Sequence, residues 1–103
     1  MTDEPDRGYT TASQLQTPKA DPVTALLADR KKTHGDFSAH ARITQELKRA
    51  FYGHLVAKLS DVQAESVDMI LHKLGRIAAG DPNFPDHWQD IQGYARLVSE
   101  RIK

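Results

Sequence analysis

Residues 60–95, SDVQAESVDMILHKLGRIAAGDPNFPDHWQDIQGYA, decide how the chain is read. Ser60 followed three residues later by Gln63 is a capping box, in which each side chain satisfies a free backbone N–H of the other residue. From there Val67, Ile70, Leu71, Leu74, Ile77 and Ala78 recur at helical spacing. Gly80, with Pro82 just beyond, is the stop signal and predicts a helix ending near Ala79. After the turn Gly80-Asp81-Pro82-Asn83-Phe84-Pro85 a second periodic segment opens at Asp86 or a neighbour and runs towards Ile102. Trp88, Ile91, Ala95 and Val98 share one of its faces.

Upstream, Asp21-Pro22 is an N-cap followed by proline at the first helical position. Val23, Leu26 and Leu27 form a short apolar stripe, and Arg30, Lys31 and Lys32 suit the negative end of that helix's dipole. Thr33-His34-Gly35-Asp36 breaks the helix, with Gly35 as its left-handed terminal residue. Ser38 is read as the cap of the next helix, with Phe37 as the hydrophobic residue before it. That helix runs to about His54 and buries Ile43, Leu47, Ala50, Phe51 and Leu55. No strand alternation and no internal repeat interrupts the pattern. The expectation is an all-α fold, a small four-helix bundle over residues 21–103 completed by oligomerisation. Residues 1–20, rich in Asp, Pro, Gly, Ser and Thr, are read as a disordered leader.

A chain of 103 residues holds one domain. Its net charge of zero removes a bulk electrostatic case for nucleic acid. The absence of cysteine excludes disulfides, thiolate metal sites and a cysteine nucleophile. No apolar run approaches the roughly 20 residues that span a bilayer, and the leader lacks a signal-peptide core. These features set the expectation of a cytoplasmic protein with no membrane partner.

The polar residues carry the candidate chemistry. Glu65, Asp68, His72 and Arg76 fall on one stripe of the third helix, opposite its apolar side. Glu65 and Asp68 are one turn apart, close enough to share Mg²⁺ or Mn²⁺ with waters, but a solvated face has the same pattern. Asp86 and Asp90, with Tyr94 one turn further on, form a second acidic set of hard oxygen ligands. Acids in a first turn also simply favour the helix dipole. Lys73 and Arg76 suit phosphate oxygens, or an i,i+4 network with Asp68 and His72. His34 and Asp36 sit in the tight turn between the first two helices. Five histidines without an H-x-x-x-H pair do not make a zinc site. Phe84, Trp88 and the neighbouring His87 are read at the turn, the two aromatics as core anchors.

The strings RKKTHGDFS (30–38), ESVDMILHKLGRI (65–77) and GDPNFPDHWQDIQGYA (80–95) resemble a small domain of unknown function common in phages and prophages. The same layout is similar to phage nucleotide-modification-associated domains. In outline it is also similar to all-α nucleoside triphosphate pyrophosphohydrolases of the MazG and dimeric dUTPase type. That resemblance implies Mg²⁺ held by helical acids and a nucleotide cleaved between its α and β phosphates. It implies Glu65 and Asp68 as half of a metal site, with Asp86, Asp90 and Asp36 supplying further oxygens. The family's E-x-x-E on the preceding helix is missing, because Glu46 is followed by Arg49.

The resulting expectation is a MazG-like domain in the cytoplasm of a bacterial host that binds, or also hydrolyses, a nucleoside triphosphate. Glu65, Asp68 and Asp90 would be catalytic, and His34, Lys73 and Arg76 would bind phosphate. Glu65, Asp68, Asp86 and Asp90 would hold the cation, with Asp36, His87 and Tyr94 as additional members. The rival reading is a non-catalytic helical interaction module, and nucleic-acid binding is the least favoured.

Overall fold

The computed structural model describes residues 21–102; the leader read over residues 1–20 and the terminal Lys103 lie outside the described residues. The fold is all-α. Its four helices are α1 (Pro22–His34), α2 (Phe37–Gly53), α3 (Asp61–Ala79) and α4 (Pro85–Ser99), with no strand among the described residues. They form a small bundle with α3 at its centre. Both α2 and α4 pack along α3, while α1 packs on α2 and α3 and meets α4 through its last turn, at His87.

The helix ends follow from local chemistry. The Asp21 carboxylate accepts from Val23 N–H at 3.1 Å and from the Thr24 hydroxyl at 2.7 Å, fixing the start of α1. Gly35 ends it at φ 79°, a conformation that side chains resist, with its N–H on the Lys31 carbonyl at 3.0 Å. A Cβ there would also lie 2.1 Å from the Ala79 carbonyl oxygen, so the α1–α2 elbow rests directly on the end of α3.

The cap of α2 is Asp36 rather than Ser38. Its carboxylate accepts from Ala39 N–H at 3.2 Å, while the Ser38 hydroxyl donates to the same carboxylate. An ionised carboxylate two residues earlier outcompetes the serine, so Phe37 becomes the first helical residue instead of a staple preceding the cap. On α3 the capping box forms as read, with Gln63 N–H to Ser60 Oγ at 3.1 Å and Ser60 N–H to Gln63 Oε1 at 2.9 Å. Asp81 shapes the turn before α4 by accepting Asn83 N–H on its side chain at 2.9 Å. Pro85 then opens α4 without a side-chain cap.

The elbow and the α3–α4 turn are tied at one atom. The Thr33 carbonyl accepts from Asp81 N–H and from His87 Nε2, each at 3.1 Å. His87 is the most buried side chain among the described residues, with 1% of its surface exposed.

The interior is unusual in composition. Leu71 is the one large apolar side chain among the described residues that is buried; His40, Thr44, Ser66 and His87 are the buried polar ones. Val23, Leu26 and Leu27 on α1 are exposed, as are Phe51 and Leu55, which the sequence pattern assigned to the core. The described residues contain no helix long and apolar enough to cross a membrane.

Candidate functional site

The polar stripe of α3 is neither solvated nor left for a second subunit to cover: most of it faces α2. A helix lying between two neighbours has two covered faces, so the side opposite the apolar one is covered as well. The Tyr52 hydroxyl on α2 donates to Asp68 Oδ1 at 2.7 Å, with the Ala64 carbonyl 3.3 Å away. Burial first, and the Asp68 carboxylate second, push the Tyr52 phenol up to about 12. One turn along, His40 donates from Nε2 to the His72 carbonyl at 3.1 Å, and the two rings meet edge to face 4.5 Å apart.

His72 is held neutral. Its Nε2 accepts from Arg76 Nε at 3.1 Å, which requires a lone pair on that nitrogen. Burial, reinforced by the Arg76 charge, lowers the imidazole to about 4. His34 and His40 are also shifted down, in both cases mainly by burial.

Arg76 points to a cleft at the α1–α2 elbow. The cleft has a volume of about 420 Å³ and is lined by Arg30, Lys31, His34 and Arg76 on its polar side. Leu27 and Phe37 flank it with apolar surface, and Gly35, Asp36 and His40 complete the wall. Arg76 is half-buried, and among the described residues no carboxylate lies within ion-pair distance of it, of Arg30 or of Lys31. Burial and then the like charge of Arg30 pull its guanidinium below the ordinary value. Asp36 is the acid of this cleft, but its carboxylate is engaged in capping α2. An underpaired cationic wall of this kind favours anions.

The expected acidic quartet is not assembled within the chain. Asp68 turns to Tyr52 on the α2 side. Asp90 turns to Lys73, with Oδ2 and Nζ 2.8 Å apart, on the α4 side. Glu65 is exposed beside a shallow, mainly apolar groove that also includes Val62, Tyr94, Leu97 and Arg101. Asp86 is exposed in the first turn of α4. Among the described residues no group of three or more His, Asp or Glu side chains converges as a metal site would require. The physical reason is that α3 stands between α2 and α4: Asp68 turns to Tyr52 on the α2 flank, whereas Asp86 and Asp90 belong to α4 on the other flank.

The phosphate-binding trio divides in the same way. His34 and Arg76 share the cleft, whereas Lys73 is committed to Asp90. Tyr94 lines the groove with Glu65, and His87 anchors the elbow: its ring lies edge-on to His34 at 4.8 Å and to Phe84 at 5.0 Å. Sequence reasoning missed Arg30, Lys31 and Phe37 as members of one cleft with Arg76. A signal was present: the RKKTHGDF string places three basic residues directly before a tight turn.

Comparisons with protein-family models, with curated proteins and with solved structures find no match.

Proposed function

We propose that this chain binds the phosphate end of a nucleoside triphosphate in the elbow cleft. The observation that supports the reading is Arg76, a half-buried guanidinium with no carboxylate partner among the described residues, facing the same cleft as Arg30 and Lys31. Leaving such a charge uncompensated is costly, and a phosphate oxygen pair matches the planar fork of the guanidinium. The flanking apolar surface of Leu27 and Phe37 suits the non-phosphate part of the ligand.

The reading is binding rather than hydrolysis. Glu65, Asp68, Asp86 and Asp90 do not fit a cation cage within one chain, so Mg²⁺ or Mn²⁺ enters only as the counter-ion that a polyphosphate brings with it. The interaction-module reading is favoured by a separate observation, the exposed apolar stripe of α1, and the two are compatible.

Thermal melting with a panel of dNTPs and Mg²⁺ tests the proposal. Saturation at about 100 times Kd stabilises a fold by about 2.7 kcal/mol and raises the Tm of a domain this size by on the order of 10 °C. Arg76→Gln is expected to remove the rise, while Asp90→Asn, on the other flank of α3, keeps it. No rise with any dNTP at millimolar concentration would sink the reading. A rise lost in Asp90→Asn but kept in Arg76→Gln would move the site to the acids.

A further inference from the structure

α1 is a helix of 13 residues in which no residue is buried. An isolated helix of that length is marginal in water, so something outside its own contacts must hold its first turns. Its face offers the means. Val23, Leu26 and Leu27 lie on one stripe at 60%, 55% and 60% exposure. The same stripe continues into Arg30 and His34, the residues by which the C-terminal end of α1 enters the fold: Arg30 lines the cleft and His34 packs on His87. The helix is therefore anchored at one end, and its first two turns present the same face with nothing among the described residues to bury it.

We propose that this stripe pairs antiparallel with the same stripe of a second copy of the chain, and that the pairing closes one side of the elbow cleft in each copy. Charge chooses both the occupant and the direction. Asp21 is the only charged residue from 21 to 28, whereas Arg30, Lys31 and Lys32 crowd the other end and keep it net basic although Asp29 pairs with Lys32 at 3.7 Å. A parallel pair would stack the two basic clusters. The antiparallel pair sets each cluster against the partner's Asp21 end and opposes the two helix dipoles. A face with an apolar centre, one acidic end and one basic end is complementary to itself under a twofold axis.

With the axis between Leu26 and Leu27, each Leu26 lies against Leu27 of the other copy. Each Val23 lies against the aliphatic stem of the opposing Arg30. Because Leu27 and Arg30 are cleft residues, the second copy walls the cleft on that side. The pairing stands on the stripe alone; its effect on ligand affinity rests on the phosphate reading above.

Sedimentation equilibrium of the full chain across the micromolar range is the first arm. A dimer that becomes monomeric in Leu26→Glu/Leu27→Glu, with unchanged helical circular dichroism, is the expected result. A wild-type monomer, or a dimer indifferent to that substitution, overturns the proposal. The second arm does not depend on a disruptive variant. The chain has no cysteine, so single substitutions report position cleanly under mild oxidation. Leu26→Cys, at the axis, is expected to form a disulfide-linked dimer readily, while Val23→Cys lags because its counterpart lies at the far end of the pair. Equal cross-linking at both positions indicates a parallel pair, and none at Leu26→Cys places the contact elsewhere; either result overturns the antiparallel assignment.

The two proposals fail separately. A dimer without dNTP binding leaves the pairing standing and removes the ligand. A monomer that binds dNTP through Arg76 does the reverse. Where both hold, a Val23→Glu/Leu26→Glu monomer, which leaves the cleft residues Leu27 and Arg30 in place, should bind dNTP severalfold more weakly.

Discussion

α2 and α4 both pack along α3 but meet it through different chemistry. On the α2 side, contact is close and directional. Gly75 gives up its side chain so that Thr44 and His40 can occupy the space, His40 donates to the His72 carbonyl, and Tyr52 donates to Asp68. On the α4 side the polar link is an ion pair at the rim, Lys73 to Asp90, with side chains 17% and 46% exposed. The first seam has little freedom because buried polar groups must keep their partners. The second can adjust, since water is available to whatever the ion pair releases. Asp68 and His72 of the polar stripe are thus taken up by the seam they face, Glu65 stays exposed, and Arg76, at the end of the α2 side, is left for the cleft.

The largest test of this contrast is a single methyl group. A Cβ on Gly75 would lie 2.1 Å from Thr44 Oγ1 and 2.9 Å from His40 Cδ2, both on buried side chains. Gly75→Ala should therefore destabilise the fold by about 3 kcal/mol, the overpacking cost exceeding the roughly 1 kcal/mol that alanine gains in a helix. Gly93, inside α4, has nothing within 4 Å of its ideal Cβ. Gly93→Ala should stabilise by about 0.5–1 kcal/mol. Urea midpoints at constant slope measure both. Equal effects at the two glycines would mean that the seams are equally tight.

The next effect is read in pH. His72, on the tight seam, is held down to about 4 by burial and by Arg76, with His40, Lys73 and Lys48 adding to it. In the unfolded chain it titrates near its ordinary value of about 6.5. Between those values the unfolded state binds more protons, so stability falls as the pH is lowered. The contribution is complete above about pH 6.5 and is lost progressively towards about pH 4, in the order the linkage relation requires. His34 and His40, also shifted down, act in the same direction. Asp36 and Asp90, held below the usual carboxylate value by the Ser38 hydroxyl and by Lys73 respectively, lose their part in a lower window. Tm should drop steadily from neutral pH towards about pH 4.5, and His72→Gln should flatten that slope. A Tm independent of pH in this window would show that His72 is not held neutral.

Much of the architecture was legible because it depends on local chemistry. The capping box at Ser60, Pro22 after Asp21, and the stop at Gly80 each act within four residues, and each reappears in the fold. The cap of α2 was misplaced by two residues because Asp36 and Ser38 are both competent, and only the bond between them shows which one leads. The candidate site was less legible for a different reason. A helical stripe tells which residues share a side, not what covers that side. Asp68, His72 and Arg76 do share a side, as the spacing indicated, but α2 takes the first two and leaves only the third for a ligand. The acids of α4 could not be assigned at all without the tertiary contact that commits Asp90 to Lys73.

The smallest effects separate the seams most directly. Tyr52→Phe removes one hydroxyl and leaves the half-buried Asp68 without that donor, which should cost about 1 kcal/mol. Because the lost interaction is a short-range hydrogen bond at a covered position, the cost should change little with added salt. Lys73→Met keeps most of the packing of the lysine stem while deleting the charge that faces Asp90. Its cost should be smaller than that of Tyr52→Phe and should shrink further in high salt, since ions screen an exposed carboxylate. Denaturation of both variants at low and high NaCl decides the matter. If the Lys73→Met cost is the larger and persists in salt, the α4 seam is as firmly fixed as the α2 seam. Asp90 would then be as unavailable to a ligand as Asp68, and the binding of an anion would fall to the cationic cleft at Arg76.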